Sequence, residues 1–234
     1  MSAVAESDPA ARLRDVALGM PIAADLSRSD LLLLRPVNGR QVQVVAQARP
    51  RSIFPIFTQF HHGREFTYRD APAIIDALRH RKPVEVSIDA GSGSSVAQDV
   101  RPIIDEAGQI IGLLSIETSL IQLERHRHRH PSFRIAIDWL KAMCANGELA
   151  SASRLSPFQE MDGLLLADAQ LRITYMSGIA NNLYRRLGYM EDLRGRRLNY
   201  LHTGDDVLAI TAMQTRQGAQ QESRFGEFEW VRKA

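Results

Sequence analysis

Short stretches of alternating polar and apolar residues occupy the first half of the chain. Residues 31–34 are an apolar run, an Asn-Gly pair follows at 38–39, and polar and apolar residues alternate through 41–48. An Asn-Gly pair between two such stretches is the strongest short-range signal for a β-hairpin. The pattern therefore predicts an antiparallel hairpin that pairs residues 31–36 with residues 41–48.

Strand-like and helix-like stretches alternate through the rest of the first half. Apolar residues recur at helical spacing in 72–79, which predicts a short helix. Another helix is expected over 11–18, ended by Gly19 and Pro21. Three more stretches have the length and composition of strands, namely residues 84–88, 96–104 and 109–117. An antiparallel sheet with helices at its start and middle is an α+β arrangement.

From Ser119 onward the apolar residues fall at helical spacing. Pro131 breaks or restarts this helix, because proline lacks a backbone donor and clashes in an interior turn. Asn146-Gly147 ends it. The apolar stripe of this helix must pack on its own domain or on the same helix of a second subunit. The stripe consists of Phe133, Ile137, Leu140 and Cys144.

A small polar linker at 150–156 precedes a second group of predicted elements. Residues 162–167 and 171–176 are strand-like and flank a turn, which predicts another hairpin. Ser177 is placed to cap a helix that runs to about Leu187. The remaining predicted elements are a helix at 205–216 and a strand at 225–232.

The composition is ordinary for a soluble globular protein. Of 234 residues, 44% are hydrophobic and 24% charged, so the chain can bury a core without disulfide bonds or metal ions. The formal net charge of +2 is too small to imply a nucleic-acid partner. The single cysteine, Cys144, excludes a disulfide within the chain. With no secretory signal and no window near the roughly 20 apolar residues that span a bilayer, we expect a cytoplasmic protein without a membrane contact.

Residues 162–189 resemble the opening of a PAS domain: a strand, an acidic turn, a second strand and a helix with small residues and asparagine. The segment LRGRRLNYL at 193–201 resembles the Leu-x-Gly-x-x-Leu step that follows in PAS domains. The chain ends at Ala234, inside this predicted sheet, where a PAS domain adds at least one more strand. We therefore expect the chain to be truncated at its C-terminus.

The order of motifs along the whole chain resembles the sensor region of soluble two-component histidine kinases of the PdtaS type. In these kinases a GAF-like domain and a PAS domain precede a phosphoacceptor helix pair and an ATPase domain. No phosphoacceptor helix and no ATP-binding boxes are present here. The matching segments are ADLSRSDLLLL (24–34), VVAQARP (44–50), VRPIIDEAGQIIGLL (100–114) and RLSPFQEMDGLLL (154–166).

The resemblance implies two antiparallel-sheet sensor domains, GAF-like over 1–118 and PAS-like over 157–234, joined by a long helix and linker over 119–156. It implies a homodimer that binds a cytoplasmic small molecule or another signal and controls autophosphorylation in a kinase core outside this chain. A response regulator would be reached through that core. Since histidine kinases work as dimers, the resemblance also favours a second subunit as the partner of the apolar stripe. The chain itself is expected to hold no catalytic residue.

Candidate ligand residues lie in both predicted domains. GAF-like folds bind small molecules on the sheet face that loops such as 50–70 cover, and this stretch holds aromatic residues and a histidine pair. The PAS resemblance adds residues that line the cavity or its rim in other members. No cofactor is evident, because no cysteine follows the PAS opening to hold a flavin and no convincing haem ligand is present. The candidates are His61, His62, Tyr68, Met176, Asn181 and Tyr184.

Two further motifs are weaker candidates for a binding site. His126 and His130 are four residues apart, a helical spacing that can hold a metal, but the arginines between them oppose a dication. A solvated basic segment is the favoured interpretation, with metal binding and a pH-responsive switch as alternatives. Residues 91–94 (Gly-Ser-Gly-Ser) lack the lysine and helix start of a phosphate loop, so a flexible hairpin loop is predicted.

Two other classes of function remain open. One is a stand-alone regulatory module that binds a ligand or docks on another protein without any kinase. The other is an enzyme that uses the histidines, which is disfavoured because no nucleophile and base can be paired from the sequence.

Overall fold

The computed structural model describes residues 8–89, 95–225 and 228–234. The predicted glycine–serine loop at 91–94 lies outside these ranges. No helix within them is both long enough and apolar enough to cross a membrane. The α-helices are α1 (Pro9–Ser27), α2 (Pro72–His80), α3 (Leu120–Arg127), α4 (Pro131–Ala145), α5 (Gly178–Arg186) and α6 (Asp205–Thr215). The strands are β1 (Asp30–Asn38), β2 (Gln41–Ala48), β3 (Glu65–Thr67), β4 (Val84–Asp89), β5 (Ser95–Ile104), β6 (Ile110–Ser119), β7 (Leu165–Ala167), β8 (Ile173–Met176), β9 (Gln220–Phe225) and β10 (Phe228–Lys233).

Six strands form one antiparallel sheet in the order β3-β2-β1-β6-β5-β4. The predicted first hairpin is confirmed, with Leu31 opposite Ala48 and Asn38 opposite Gln41. β1 pairs with β6 on its other side, so the apolar run lies at the centre of the sheet. Its successive residues point to opposite faces, and each face therefore receives two leucines.

Each face of this sheet is covered by helices. On one face, α1 and the end of α4 pack over Leu31 and Leu33, and the buried Cys144 belongs to this cluster. On the other face, α2 packs over Leu32 and Leu34. The first half of the chain is therefore an α+β unit with a central antiparallel sheet.

The first helix is longer than the sequence suggests. The prediction that it ends at Gly19 and Pro21 is wrong, because α1 continues through both to Ser27. Gly19 allows α1 to pack closely on the segment after α4, since a Cβ there would lie 2.7 Å from the Leu149 Cβ. Pro21 removes one backbone hydrogen bond, and burial of the α1 face against the sheet offsets that loss.

The segment after the sheet consists of two helices rather than one long helix. α3 ends at Arg127, and α4 begins at Pro131, which occupies the first turn where its missing N–H costs nothing. The predicted break at this proline is confirmed. α4 packs against α1, and a 3-10 helix (Ala150–Arg154) that contacts α1 replaces the predicted polar linker.

The last third of the chain contains two hairpins that form separate two-stranded sheets, β7-β8 and β9-β10. The Ser177 side chain caps α5 by accepting from the Ala180 N–H, as predicted. β9 was missed because its sequence, QQESRF, is mostly polar and lacks a strand pattern. α5, β8, the 190s loop and β10 share a core of Ile173, Met176, Ala180, Tyr184, Leu193, Leu198, Leu201 and Trp230.

One small cluster joins the two parts of the chain. Phe133 and Ile137 of α4 are buried against Tyr175 of β8. The partly buried residues that complete the cluster are Leu26, Leu140, Leu164 and Leu166. The C-terminal end of α4 therefore packs on the first unit, and the N-terminal part of α4 packs on the β7–β8 hairpin.

Replacing Ile137 with alanine should lower the free energy of unfolding by about 2–4 kcal/mol, because the change leaves a cavity where the two units meet. Ile135→Ala is the matched control, since Ile135 is exposed on the same helix and should cost about 0.5 kcal/mol or less. Urea unfolding followed by far-UV circular dichroism, at a concentration where the chain is monomeric, measures both. Equal effects of the two substitutions would contradict the packing described.

Candidate functional site

A long irregular connection, residues 49–64, links β2 to β3 across one end of the sheet. Connections of this length without secondary structure are uncommon in compact domains and are often functional. Acceptor side chains from the first unit hold its backbone. Asp25 accepts from the Arg51 N–H (2.8 Å), Asp30 from the Ile56 N–H (2.7 Å), and Gln47 from the His61 N–H (2.8 Å).

A buried polar cluster lies beneath this connection. Asp30 of β1 and Glu117 of β6 are directly opposite in register, and each is 1% exposed. Gln98 of β5 is opposite Glu117 on the other side. Glu117 Oε1 accepts from Gln98 Nε2 and from Ser115 Oγ, both at 2.7 Å. Three neighbouring strands thus direct polar side chains to one spot inside a sheet whose other inward positions are apolar.

The electrostatics of the cluster favour the protonated form of both carboxyl groups. Burial raises the pKa of Glu117, and the nearby Asp30 raises it further, against the hydrogen bonds from Ser115 and Gln98. Burial also raises the pKa of Asp30, opposed by the backbone N–H groups of residues 56 and 57 and by Arg49. Two carboxyl groups side by side in a low-dielectric interior resist being ionised together.

Several buried polar atoms around this cluster have no hydrogen-bond partner in the described part of the chain. They include Asp30 Oδ1, Glu117 Oε2, and Nε and Nη2 of Arg49, as well as Gln47 Nε2 and Ser52 Oγ. Native proteins rarely leave such groups unpaired, because each costs roughly 1–3 kcal/mol. The cluster thus offers both acceptors and donors to a further polar group.

The structure separates the three ligand residues predicted in the first domain. His61 packs edge-on against Phe57, with ring centroids 4.9 Å apart, and burial lowers its pKa. His62 is exposed. Tyr68 lies elsewhere, beneath the guanidinium of Arg79. Both histidines belong to the connection over the polar cluster, but of the two only the His61 side chain is partly buried there.

The three histidines of the 126–130 segment also make separate contacts. His126 packs on Phe133, and burial followed by nearby cations lowers its pKa to about 4. His128 lies 3.9 Å from Glu124, and the His130 Nδ1 accepts from the Ser132 N–H at the start of α4. Within the described ranges no three His, Cys, Asp or Glu side chains form a group that could hold a metal.

The ligand residues predicted in the second domain lie in its core or take part in its internal hydrogen bonds. Met176 lies in the core of the C-terminal unit, and Asn181 is half-buried on α5. The Tyr184 hydroxyl donates to Asp205 Oδ2, and burial together with this carboxylate raises the tyrosine pKa. Asp205 also accepts from Thr203 and lies 3.3 Å from Arg232, which is buried. This network joins α5, α6 and the β9–β10 hairpin.

A chain of contacts leads from the polar cluster to the C-terminal unit. Gln98, which donates to Glu117, is followed by Asp99, and Lys141 Nζ of α4 lies 3.6 Å from Asp99 Oδ2. Along the same helix, Ile137 packs against Tyr175 of β8. These contacts connect β5 to α4 and α4 to β8.

The apolar stripe of α4 is covered within the chain. Phe133, Ile137 and Leu140 face the β7–β8 hairpin, and Cys144 lies in the core between α1 and the sheet, where burial raises its pKa to about 12. The stripe thus packs inside the chain, and its part in a dimer stays a prediction. The opposite side of α4 instead exposes Trp139 (67%) and Ile135 (49%).

The central sheet, with α1 on one face and α2 and an anchored connection on the other, defines a GAF-like sensor unit. Residues 3–134 match the family described as "Histidine kinase PdtaS, GAF domain". Since this match spans more than half of the chain, the protein belongs to that family.

One solved structure shares the fold of nearly the whole chain. A structure described as "Sensor region of a sensor histidine kinase" aligns with 98% of this chain, and the alignment includes 86% of that structure's own chain. Its TM-score is 0.66 and its sequence identity is 19%. That identity shows a shared fold and nothing finer. The second GAF domain of DevS from Mycobacterium smegmatis covers 63% of this chain and 98% of its own, at 19% identity and a TM-score of 0.37. No curated protein matches the chain.

Sequence reasoning missed the Asp30–Glu117 cluster. The available signal was that both carboxylates are attached to apolar strand runs, Asp30 just before residues 31–34 and Glu117 just after residues 113–116. Acidic residues at inward positions of central strands are rarely buried unless paired. The pairing of β1 with β6, which brings them together, is not visible in the pattern of either strand.

Proposed function

We propose that this chain is the signal-sensing region of a cytoplasmic histidine kinase. A small polar molecule binds at the Asp30–Glu117 cluster beneath residues 49–64. Its binding shifts the population of conformations of α4 and of a PAS-like unit over 157–234. That shift regulates autophosphorylation in a kinase core outside this chain, and through it a response regulator.

The observation that carries this proposal is the set of unpaired, buried polar atoms in the GAF unit. A ligand with both a donor and an acceptor would satisfy Glu117 Oε2 and the Nε and Nη2 atoms of Arg49, which have no hydrogen-bond partner among the described residues. The Arg49 guanidinium stacks on the Phe60 ring, 3.7 Å from its centroid, which leaves its edge for such a ligand. Family membership supports a sensory role for this unit. The order hairpin, helix, 3-10 turn, helix, hairpin supports a PAS-like assignment for the C-terminal unit.

The small-molecule fraction of bacterial cytosol should raise the melting temperature of the wild-type protein by several degrees, because ligand binding to the native state stabilises it. Asp30→Asn should abolish or greatly reduce this rise. Glu106→Gln is the control, since Glu106 is an exposed acid in the β5–β6 turn. Equal rises in all three proteins, or none with any extract, would contradict the proposal. Differential scanning fluorimetry measures the shift.

We also propose that the chain forms a homodimer through the exposed side of α4. Trp139 and Ile135 lie one helical turn apart on that side, so they form one apolar strip. A tryptophan exposed to this degree on a helix is typical of an interface rather than of a free surface.

Trp139→Asp should convert a dimer into a monomer of 26.2 kDa without unfolding the protein. The neighbouring positions that pack inside the chain are unaffected, because they face the other side of α4. Met213→Asp is the control, as Met213 is an exposed apolar residue on α6. Light scattering coupled to size-exclusion chromatography gives the mass. A wild-type monomer, or a Trp139→Asp dimer, would contradict this interface.

The same exposed strip is the observation that favours the alternative function, a regulatory module that docks on another protein. In that case the wild-type chain would be a monomer whose Trp139 becomes covered only by a different protein. The mass measurement on the wild type distinguishes the two proposals.

A further inference from the structure

A second groove lies at the far end of the sheet from the polar cluster. It is formed by the β1–β2 turn, the end of β3 and the last turn of α2, and its volume is about 670 Å³. β1 separates the two sites by roughly 26 Å, at about 3.3 Å per residue. The groove is lined by Asn38, Gly39, Arg40, Gln41, Thr67, Tyr68, Arg69 and Arg79.

The lining of this groove is strongly cationic. It includes Arg40, Arg69 and Arg79, and no acidic residue is among the described residues that line it. Asp70, the residue after Arg69, accepts from both the N–H (3.0 Å) and the Oγ1 (2.7 Å) of Thr67, and Arg69 is among the charges that lower its pKa. Three arginines of the lining against this one neighbouring carboxylate leave the groove cationic.

The shape of the groove allows a ligand to reach the backbone. A Cβ added at Gly39 would meet nothing within 4 Å. Tyr68, which is 48% exposed, supplies a ring whose guanidinium neighbour Arg79 lies 5.2 Å from its centroid. Guanidinium groups bind both phosphoryl and carboxylate oxygens through two parallel hydrogen bonds. A phosphoryl group carries more charge and more terminal oxygens than a carboxylate, so it can engage more than one of these arginines at once.

We propose that this groove binds a phosphorylated small molecule, with Arg40 and Arg69 contacting its phosphoryl oxygens and Tyr68 flanking the remainder. The site goes beyond the proposed function, since it lies apart from the Asp30–Glu117 cluster. It would give the GAF unit a second input of different chemistry. An experiment that rules out binding in this groove leaves the proposed binding at the Asp30–Glu117 cluster untouched, and the reverse also holds.

Isothermal titration calorimetry with inorganic pyrophosphate tests this proposal on the whole chain. The wild type should bind one pyrophosphate per chain, and Arg40→Gln/Arg69→Gln should weaken the affinity by about tenfold or more. Arg185→Gln/Arg186→Gln removes the same charge from exposed positions on α5 and should leave the affinity within about twofold. Melting curves of all variants establish that they are folded.

A third variant tests the groove without removing any arginine. Gly39→Asp places a carboxylate in open space beside the three arginines and should also weaken binding by about tenfold or more. Equal losses in the two double variants would show diffuse attraction to the surface and overturn the proposal. So would the absence of saturable pyrophosphate binding, or binding only to vesicles that contain phosphoinositides.

Discussion

Asp205→Ala should lower the free energy of unfolding of the C-terminal unit by about 3–5 kcal/mol, because it leaves the buried Arg232 without its carboxylate. The Arg232 side chain is buried, and its other side-chain hydrogen bond among the described residues runs from Nη2 to Ser223 Oγ (2.6 Å). Tyr184 and Thr203 would lose their acceptor at the same time. In a Trp139→Phe background, fluorescence of Trp230, which lies in the same core, reports the unfolding of this unit in urea.

Asp206→Ala is the matched control for this substitution. Asp206 occupies the same first turn of α6 and so interacts equally with the helix dipole, but it makes none of the contacts to Arg232. We expect its replacement to cost less than about 1 kcal/mol. A similar cost for both substitutions would mean that the helix N-terminus, rather than the buried ion pair, holds the unit together.

Glu117→Gln should make the protein more stable than the wild type at alkaline pH, by about 1–3 kcal/mol, the usual range for an unsatisfied buried polar group. The native pKa of Glu117 is raised above its unfolded value, so the native state holds a proton that the unfolded state has released. Wild-type stability therefore falls as the pH rises from the unfolded pKa through the native pKa. The glutamine amide removes the titrating group, keeps an acceptor for Gln98 and Ser115, and presents a donor beside Asp30.

The advantage of the variant should vanish at acidic pH, where Glu117 is protonated in both states of the wild type. Asp30 is the charged group that acts on Glu117, and Arg49 acts in turn on Asp30; both are present in wild type and variant. Glu106→Gln, at an exposed turn, should show no such pH dependence. Thermal melts from about pH 3.5, below the ordinary pKa of a glutamate, to about pH 9 measure the difference. A constant offset between wild type and Glu117→Gln would be inconsistent with a raised native pKa.

Local patterns were enough to predict most of the secondary structure. The Asn-Gly pair fixed the first hairpin, and Pro131 located the break between α3 and α4. Where the prediction failed, the tertiary environment overrode local preference. α1 continues through Gly19 and Pro21 because its packing on the sheet and on Leu149 stabilises the longer helix.

The candidate site was harder to predict for a physical reason. Periodicity identifies which face of α4 is apolar, but it cannot identify what covers that face, and Ile137 packs on Tyr175 of the same chain. Likewise Asp30 and Glu117 are far apart in sequence, and only the pairing of β1 with β6 makes them neighbours. The aromatic and histidine residues between 54 and 68 were prominent in the sequence, yet the polar cluster lies beneath them.

We propose that a change at the Asp30–Glu117 cluster is transmitted through α4 to the C-terminal unit. Hydrogen–deuterium exchange of the wild type and Glu117→Gln, compared at the same alkaline pH, tests this transmission most directly. We expect altered exchange in residues 49–64, in α4 and in β7–β8 together. Changes confined to the sheet and residues 49–64, with α4 and the β7–β8 hairpin unaffected, would contradict the proposal.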